Sequence, residues 1–218
     1  MGIAAKKTGS QASQTAPDKG RDKRQKVPQN RTKHEAALIH AAAVLFRKQG
    51  YAATGTAEIL KRSGAPRGSL YYYFPEGKEA IGAAALEAAS KTATRTFRDL
   101  RATSSSPAAF VKRYAVMLSG WMEASDFRDG CPAATTILET VPQSEIITPV
   151  AQTSFKAWHS ALEAMLEDHG WPQGRIHATA TLILSAFEGA LITARVERNG
   201  RAIRDVADEL AVLLDQTR

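Results

Sequence analysis

The chain of 218 residues has one cysteine, Cys131, so it holds no internal disulfide and no cysteine-clustered metal site. No segment of any length alternates apolar and polar residues with period two, and strands are therefore not predicted. No run of 18 apolar residues is free of charge, since Glu188 or Arg195 interrupts the longest candidates, which argues against a membrane span. The N-terminal stretch lacks the apolar segment of a signal peptide, and the cytoplasm is the expected compartment. Missing too are a phosphate loop, a paired catalytic carboxylate motif and a Ser-His-Asp set in recognisable context. His159, His169 and His177 are near in sequence, but their ten- and eight-residue gaps span a Gly-Trp-Pro break and do not resemble a metal motif. An enzyme is thus the disfavoured class, and no metal or cofactor is implied.

The net charge of +7 is unevenly spread. Residues 1–34 carry nine Lys/Arg and two Asp/Glu, while residues 35–218 carry twenty of each. Residues 1–30, rich in Lys, Gln, Ser and Gly, read as a disordered basic tail. Such an arm beside a DNA-reading module adds phosphate contacts without reading sequence, or else is a solvated leader with no role.

Hydrophobic residues make up 44% of the chain, ample for a core, and their spacing is helical. Leu38, Ala41, Ala42, Leu45 and Phe46 predict a helix over 32–49 that Gly50 stops. Two short helices follow, 56–63 and 66–73, turned at Gly64 and anchored by Ile59, Leu60 and Leu70. Neither stands alone, so the three share one small core. Long helices are expected at about 78–101, 107–125, 132–141, 145–169, 174–198 and 202–215, separated by Gly- and Pro-rich punctuation. The fold class is therefore all-α, with a three-helix helix-turn-helix domain at 31–77 and a larger helical bundle at 78–218.

A helix-turn-helix lays its second helix in the major groove, with small or polar residues at its start. Here that start is PRGSLYYY. Arg67 and Ser69 can donate to phosphates or base edges, Gly68 lets the backbone approach, and Tyr71, Tyr72 and Tyr73 offer rings and hydroxyls. Three consecutive tyrosines on a helix cannot all be buried. Thr54 and Thr56 fall where the preceding helix starts, where one can cap it while free N–H groups meet a phosphate. Lys78 opens the following helix and can clamp the same strand.

Gly50-Tyr51, Thr54, Thr56, Gly64 and the run Gly68-Ser69-Leu70-Tyr71-Tyr72-Tyr73-Phe74 ahead of Lys78 resemble the N-terminal signature of the TetR family of transcriptional regulators, over about residues 32–81. The resemblance implies phosphate-backbone contacts for Thr32, Thr54, Arg67, Ser69, Tyr71, Tyr72 and Lys78, with Gly68 and Tyr73 near bases. Leu60 replaces the family's usual small residue, and Pro75-Glu76-Gly77 lengthens the loop by one. These departures, with GAPRGSLYYYFPEGK and Gly130-Cys131-Pro132, are similar to the LmrA/YxaF-like branch, which resembles drug-responsive repressors.

The bundle mixes small residues with Trp121, Phe155, Trp158 and Phe187, which are the expected lining of a pocket for a small hydrophobic or aromatic effector. Glu188, inside SAFEGAL, either selects a cationic or hydroxylated effector, pairs with Arg195, or faces outward. Cys131 reads as an ordinary buried thiol rather than a redox sensor. Reading DNA with one recognition helix covers one half-site, so a homodimer is expected. The resemblance places the dimer interface on the last two helices, with Ile183, Phe187, Leu191, Val206, Leu210 and Leu213 as candidates. The function read from these residues is a ligand-released repressor on a near-palindromic double-stranded operator; the rival is a nonspecific architectural DNA binder.

Overall fold

The computed structural model describes residues 1–2 and 29–215, with side chains described from Lys33 onward. The basic tail, apart from its ends, and the Thr32 side chain lie outside the described residues. Among the described residues there are nine α-helices and no strand: α1 Gln29–Gln49, α2 Thr56–Ser63, α3 Ser69–Tyr73, α4 Lys78–Thr103, α5 Pro107–Ala124, α6 Pro132–Thr140, α7 Ile147–Asp168, α8 Ile176–Glu197 and α9 Arg201–Asp215. The chain is all-α, as the periodicity requires.

Local chemistry sets the ends. Gly50, at φ +90°, terminates α1, and Gly64 caps α2 in the left-handed region that a side chain disfavours. Ser106 accepts a hydrogen bond from Ala109 N at 3.0 Å and Pro107 opens α5, while Pro132 opens α6. The recognition helix is shorter than expected: Ser69 N bonds Pro66 O in a turn, so helical geometry starts at Ser69 and not at Pro66.

Two apolar cores result. Leu38, Leu45 and Phe46 of α1 meet Ile59 of α2, Leu70 of α3 and Phe74. Ile81 and Ala85, from the first two turns of α4, complete that head, while Ala83, Leu86 and Phe97 of the same helix belong to the bundle core. The boundary expected at 77/78 is therefore the start of a shared helix and not a linker. In the bundle α4 packs along α7, α5 along α9, and α8 against both α7 and α9. The stretch Gln173–Glu197 is, by length and composition, apolar enough to cross a bilayer, with mean hydropathy 1.4 in its most apolar window. It sits within this bundle, where Ile176, Ala180, Ile183, Leu184 and Phe187 are core residues.

Candidate nucleic-acid interface and effector cavity

The α2–α3 module presents a continuous polar and aromatic surface. Arg67 and Gly68 are exposed, Tyr71 and Tyr72 are 60% and 58% exposed, and Thr56 and Ser69 are half-buried. A Cβ on Gly68 would meet nothing within 4 Å, so the backbone at the start of α3 is open to approach. Tyr73 lies edge-on to Tyr72, with ring centroids 5.0 Å apart, and packs on the head core. The N-cap of α2 is Gly55 and carries no side-chain cap.

Two expected phosphate contacts have other work within the fold. Thr54 is fully buried and its hydroxyl donates to Gly50 O at 2.7 Å, closing the α1–α2 loop. It neither caps α2 nor reaches the surface, because the chain enters the helix one residue later, through Gly55. Lys78 donates from Nζ to Ala52 O at 3.1 Å and stands 4.5 Å over the Tyr51 ring. Burial lowers its pKa, with Glu139 opposing the shift. The same surroundings, burial first and then Glu79 and Glu139, push the Tyr51 phenol up to about 12.

Behind the head lies a cavity of about 770 Å³, within the size range of small-molecule sites at about 300–1,000 Å³. Trp121, Trp158 and Glu188 line it, as do Phe97, Tyr114 and Cys131. Two expected lining residues do not. Phe155 packs on Trp158 at 5.0 Å, and Phe187 is buried edge-on against Tyr114 at 4.9 Å, because each lies on the neighbouring face of its helix. One wall was not anticipated at all: Ile39, His40, Ala43, Val44 and Arg47 come from α1, the first helix of the head. The signal was present as the small residues of AALIHAAAV beside the leucine stripe, which leave room where a second apolar stripe would have filled it.

Arg47 joins the two halves. Its Nε lies 2.8 Å from Oδ2 of the buried Asp129, an ion contact without hydrogen-bond alignment, and its guanidinium stands 6.0 Å from the Trp121 ring centroid. Its carbonyl accepts Gly130 N at 3.2 Å. At the other end of α6, Glu139 accepts from Ala52 N in the α1–α2 loop. Burial and then Glu188 push the Cys131 thiol well above the usual range, which disfavours the thiolate at neutral pH.

The expected dimer residues divide. Ile183, Phe187, Leu191 and Leu210 are buried in the protomer's own core, which leaves them little surface of their own; Val206 and Leu213 are half-buried. The exposed stripe on α8 is instead Leu182, Ser185, Gly189, Ile192 and Val196, spaced three and four residues apart along one face, with Val212 exposed on α9.

A three-helix head with an open helix-turn-helix surface, mounted on a helical bundle with a cavity lined by both, defines a DNA-binding regulator. Residues 38–85 match the family of bacterial regulatory proteins of the TetR type, and residues 107–209 match the C-terminal domain of LmrA/YxaF-like transcriptional regulators. The chain is similar to the helix-turn-helix-type transcriptional regulator YxaF of Bacillus subtilis, at 29% identity over 177 residues, 81% of this chain and 93% of the relative. It is 32% identical over 167 residues to a helix-turn-helix-type transcriptional regulator of Mycobacterium tuberculosis, spanning 74% of this chain and 84% of that one. A regulatory protein TetR from Rhodobacter sphaeroides shares the fold, with a TM-score of 0.74 over 82% of this chain and 97% of that one at 22% identity. The chain belongs to the TetR family of transcriptional regulators, in its LmrA/YxaF-like branch. It is accordingly a DNA-binding regulator and not an enzyme.

Proposed function

We propose that the protein is a homodimeric repressor that binds a near-palindromic operator and releases it when a small hydrophobic or aromatic effector fills the cavity. The observation that carries this reading is that α1, which supports α2 and α3 in the head, is also a wall of the cavity. A ligand wedged against Ile39, Ala43 and Val44 bears on the head directly, and through α6 it bears on the α1–α2 loop at Ala52. The effect is allosteric in the strict sense when operator and ligand weaken each other's binding by one common factor.

In this reading Arg67, Gly68, Ser69, Tyr71, Tyr72 and Tyr73 face the major groove and its phosphates, with Thr56 and the uncapped start of α2 beside them. Lys78 serves chiefly to hold the loop. The dimer forms through Leu182, Ser185, Gly189, Ile192 and Val196, whose small members allow close helix approach, with half-buried Val206 and Leu213 at the margin. Two heads then reach half-sites about 34–36 Å apart.

The test is in vitro selection of bound duplexes from a random library at about 150 mM salt, where nonspecific phosphate binding is weakened, with an Arg67→Ala, Tyr71→Ala double variant run in parallel. A two-fold symmetric motif enriched by the wild type alone is the expected result. Equal binding by both proteins without enrichment overturns the operator reading in favour of an architectural DNA binder that uses its basic arm.

A further inference from the structure

Glu188 belongs to the cavity wall, yet among the described residues no cation neutralises it. The Cys131 thiol, a weak donor, hydrogen-bonds its side chain, and no cation among the described residues contributes to its ionisation. Burial raises its pKa above the ordinary carboxylate value.

The other ionisable groups around the cavity offer no compensation. On α1, Arg47 is matched by the buried Asp129, and His40 is exposed at the rim. On α5, burial and Glu188 hold the Tyr114 phenol neutral, and at the start of α6 they do the same for the Cys131 thiol. Among the described lining residues, ionised Glu188 therefore carries the charge that lacks a counter-charge. A carboxylate left unpaired in an apolar site is unfavourable unless a ligand supplies the missing partner. The same cavity is lined by the rings of Phe97, Tyr114, Trp121 and Trp158, whose π faces attract cations and whose area favours apolar bodies.

We infer that the effector is a lipophilic cation, an aromatic or polycyclic amine or onium compound, whose positive centre is held by the Glu188 carboxylate among the cavity rings. This rests on the cavity being the effector site. Glu188 is then the residue that sets specificity: an anion of equal size meets an uncompensated negative charge, and a neutral analogue leaves that charge buried and unpaired.

Three compounds of similar shape separate the possibilities: tetraphenylphosphonium, triphenylphosphine oxide and tetraphenylborate, cationic, neutral and anionic in turn. Each is titrated into the full-length protein by calorimetry, with Trp121 and Trp158 emission as a second readout. The cation is expected to bind at least about ten-fold more tightly than the neutral compound, with the anion weakest. Glu188→Gln, isosteric and uncharged, should erase that preference by weakening the cation while leaving the neutral compound unchanged; Glu188→Asp, which keeps the charge, should preserve the order. Comparable binding of all three compounds, or a cation preference that survives in Glu188→Gln, overturns the charge assignment and leaves the cavity as an effector site. Failure of all three to bind a protein whose circular dichroism is intact overturns the cavity reading itself.

Discussion

The carboxylate of Glu139, on α6, accepts a hydrogen bond from the backbone amide of Ala52, in the loop that joins α1 to α2. Gly50 lies under the same carboxylate: a Cβ built there would stand 2.7 Å from Glu139 Oε1, at a backbone φ of +90°. Sequence positions far apart thus meet where the head rests on the bundle, and a glycine makes the approach possible. Gly50→Ala should destabilise the protein by about 1–3 kcal/mol through left-handed strain and the clash together, read as a lowered urea midpoint. Adding Glu139→Ala should relieve the clash but leave the backbone strain and remove the acceptor of Ala52 N, so the double variant recovers at most a small part of the loss.

Thr54 and Arg67 should separate stability from DNA reading. Thr54→Val removes a buried hydroxyl that satisfies Gly50 O, at a cost to stability of about 0.5–1.5 kcal/mol. It should lower the melting temperature while leaving the sequence preference intact. Arg67→Ala and Tyr71→Ala remove exposed side chains, so thermal stability should hold while affinity for the selected duplex falls by about 1–3 kcal/mol each. Electrophoretic shift titrations beside thermal melts give both quantities.

The exposed stripe on α8 predicts its own disruption. Ile192→Glu places a charge within the stripe of Leu182, Ser185, Gly189, Ile192 and Val196, and should yield a helical monomer by sedimentation, with operator binding lost. Phe187→Ala should behave differently: it opens a cavity in the protomer core beside Tyr114 and costs about 3–5 kcal/mol of folding stability, whatever the oligomeric state.

Stability near Glu188 should depend on pH in a definite direction. Its folded-state pKa is raised above 4.5 by burial, so the folded protein holds this proton more tightly than the unfolded chain. The associated stability is fully present below about pH 4.5 and is lost as pH rises through the raised value. At pH 7 the wild type therefore carries the penalty, and Glu188→Gln should melt higher than wild type there. That advantage should shrink as the pH is lowered toward 4.5, a trend that differential scanning calorimetry across the range checks.

Most helix limits were legible because they are set by residues with one local meaning: Gly50 and Gly64 stop α1 and α2, and Pro107 and Pro132 open α5 and α6. Trp121 and Trp158, large where small residues surround them, do line the cavity; for Glu188 the sequence left an effector contact, a pairing with Arg195 and an outward face open, and only the fold puts it on the cavity wall. Phe155 and Phe187 were not separable from the two tryptophans, since helical spacing assigns residues to a face but does not say whether that face meets a void or another helix. The same limit governs α8, where Ile183, Phe187 and Leu191 form the inward stripe and Leu182, Ser185, Gly189, Ile192 and Val196 the outward one. Both stripes are apolar or small, and only packing against α7 and α9 distinguishes them. Thr54 was misplaced for a local reason: a threonine before a helix reads as a cap, yet Gly55 takes that position and Thr54 turns inward to Gly50 O.

The 26 residues of α4 run unbroken from a head that needs Ile81 and Ala85 into a bundle that needs Leu86 and Phe97. This continuity fixes where the protein can be recombined. A chimera that exchanges reading heads at the 77/78 junction would part Ile81 and Ala85 from the leucines they cover, whereas a crossover between Ala85 and Leu86 carries the head's last core residues with it and leaves Leu86 to the bundle. New operator preferences are therefore to be grafted as a unit that includes the first two turns of α4, and the native bundle beyond them can receive such a graft without losing the α1 face that closes its cavity only if the donor's α1 matches Ile39, Ala43, Val44 and Arg47.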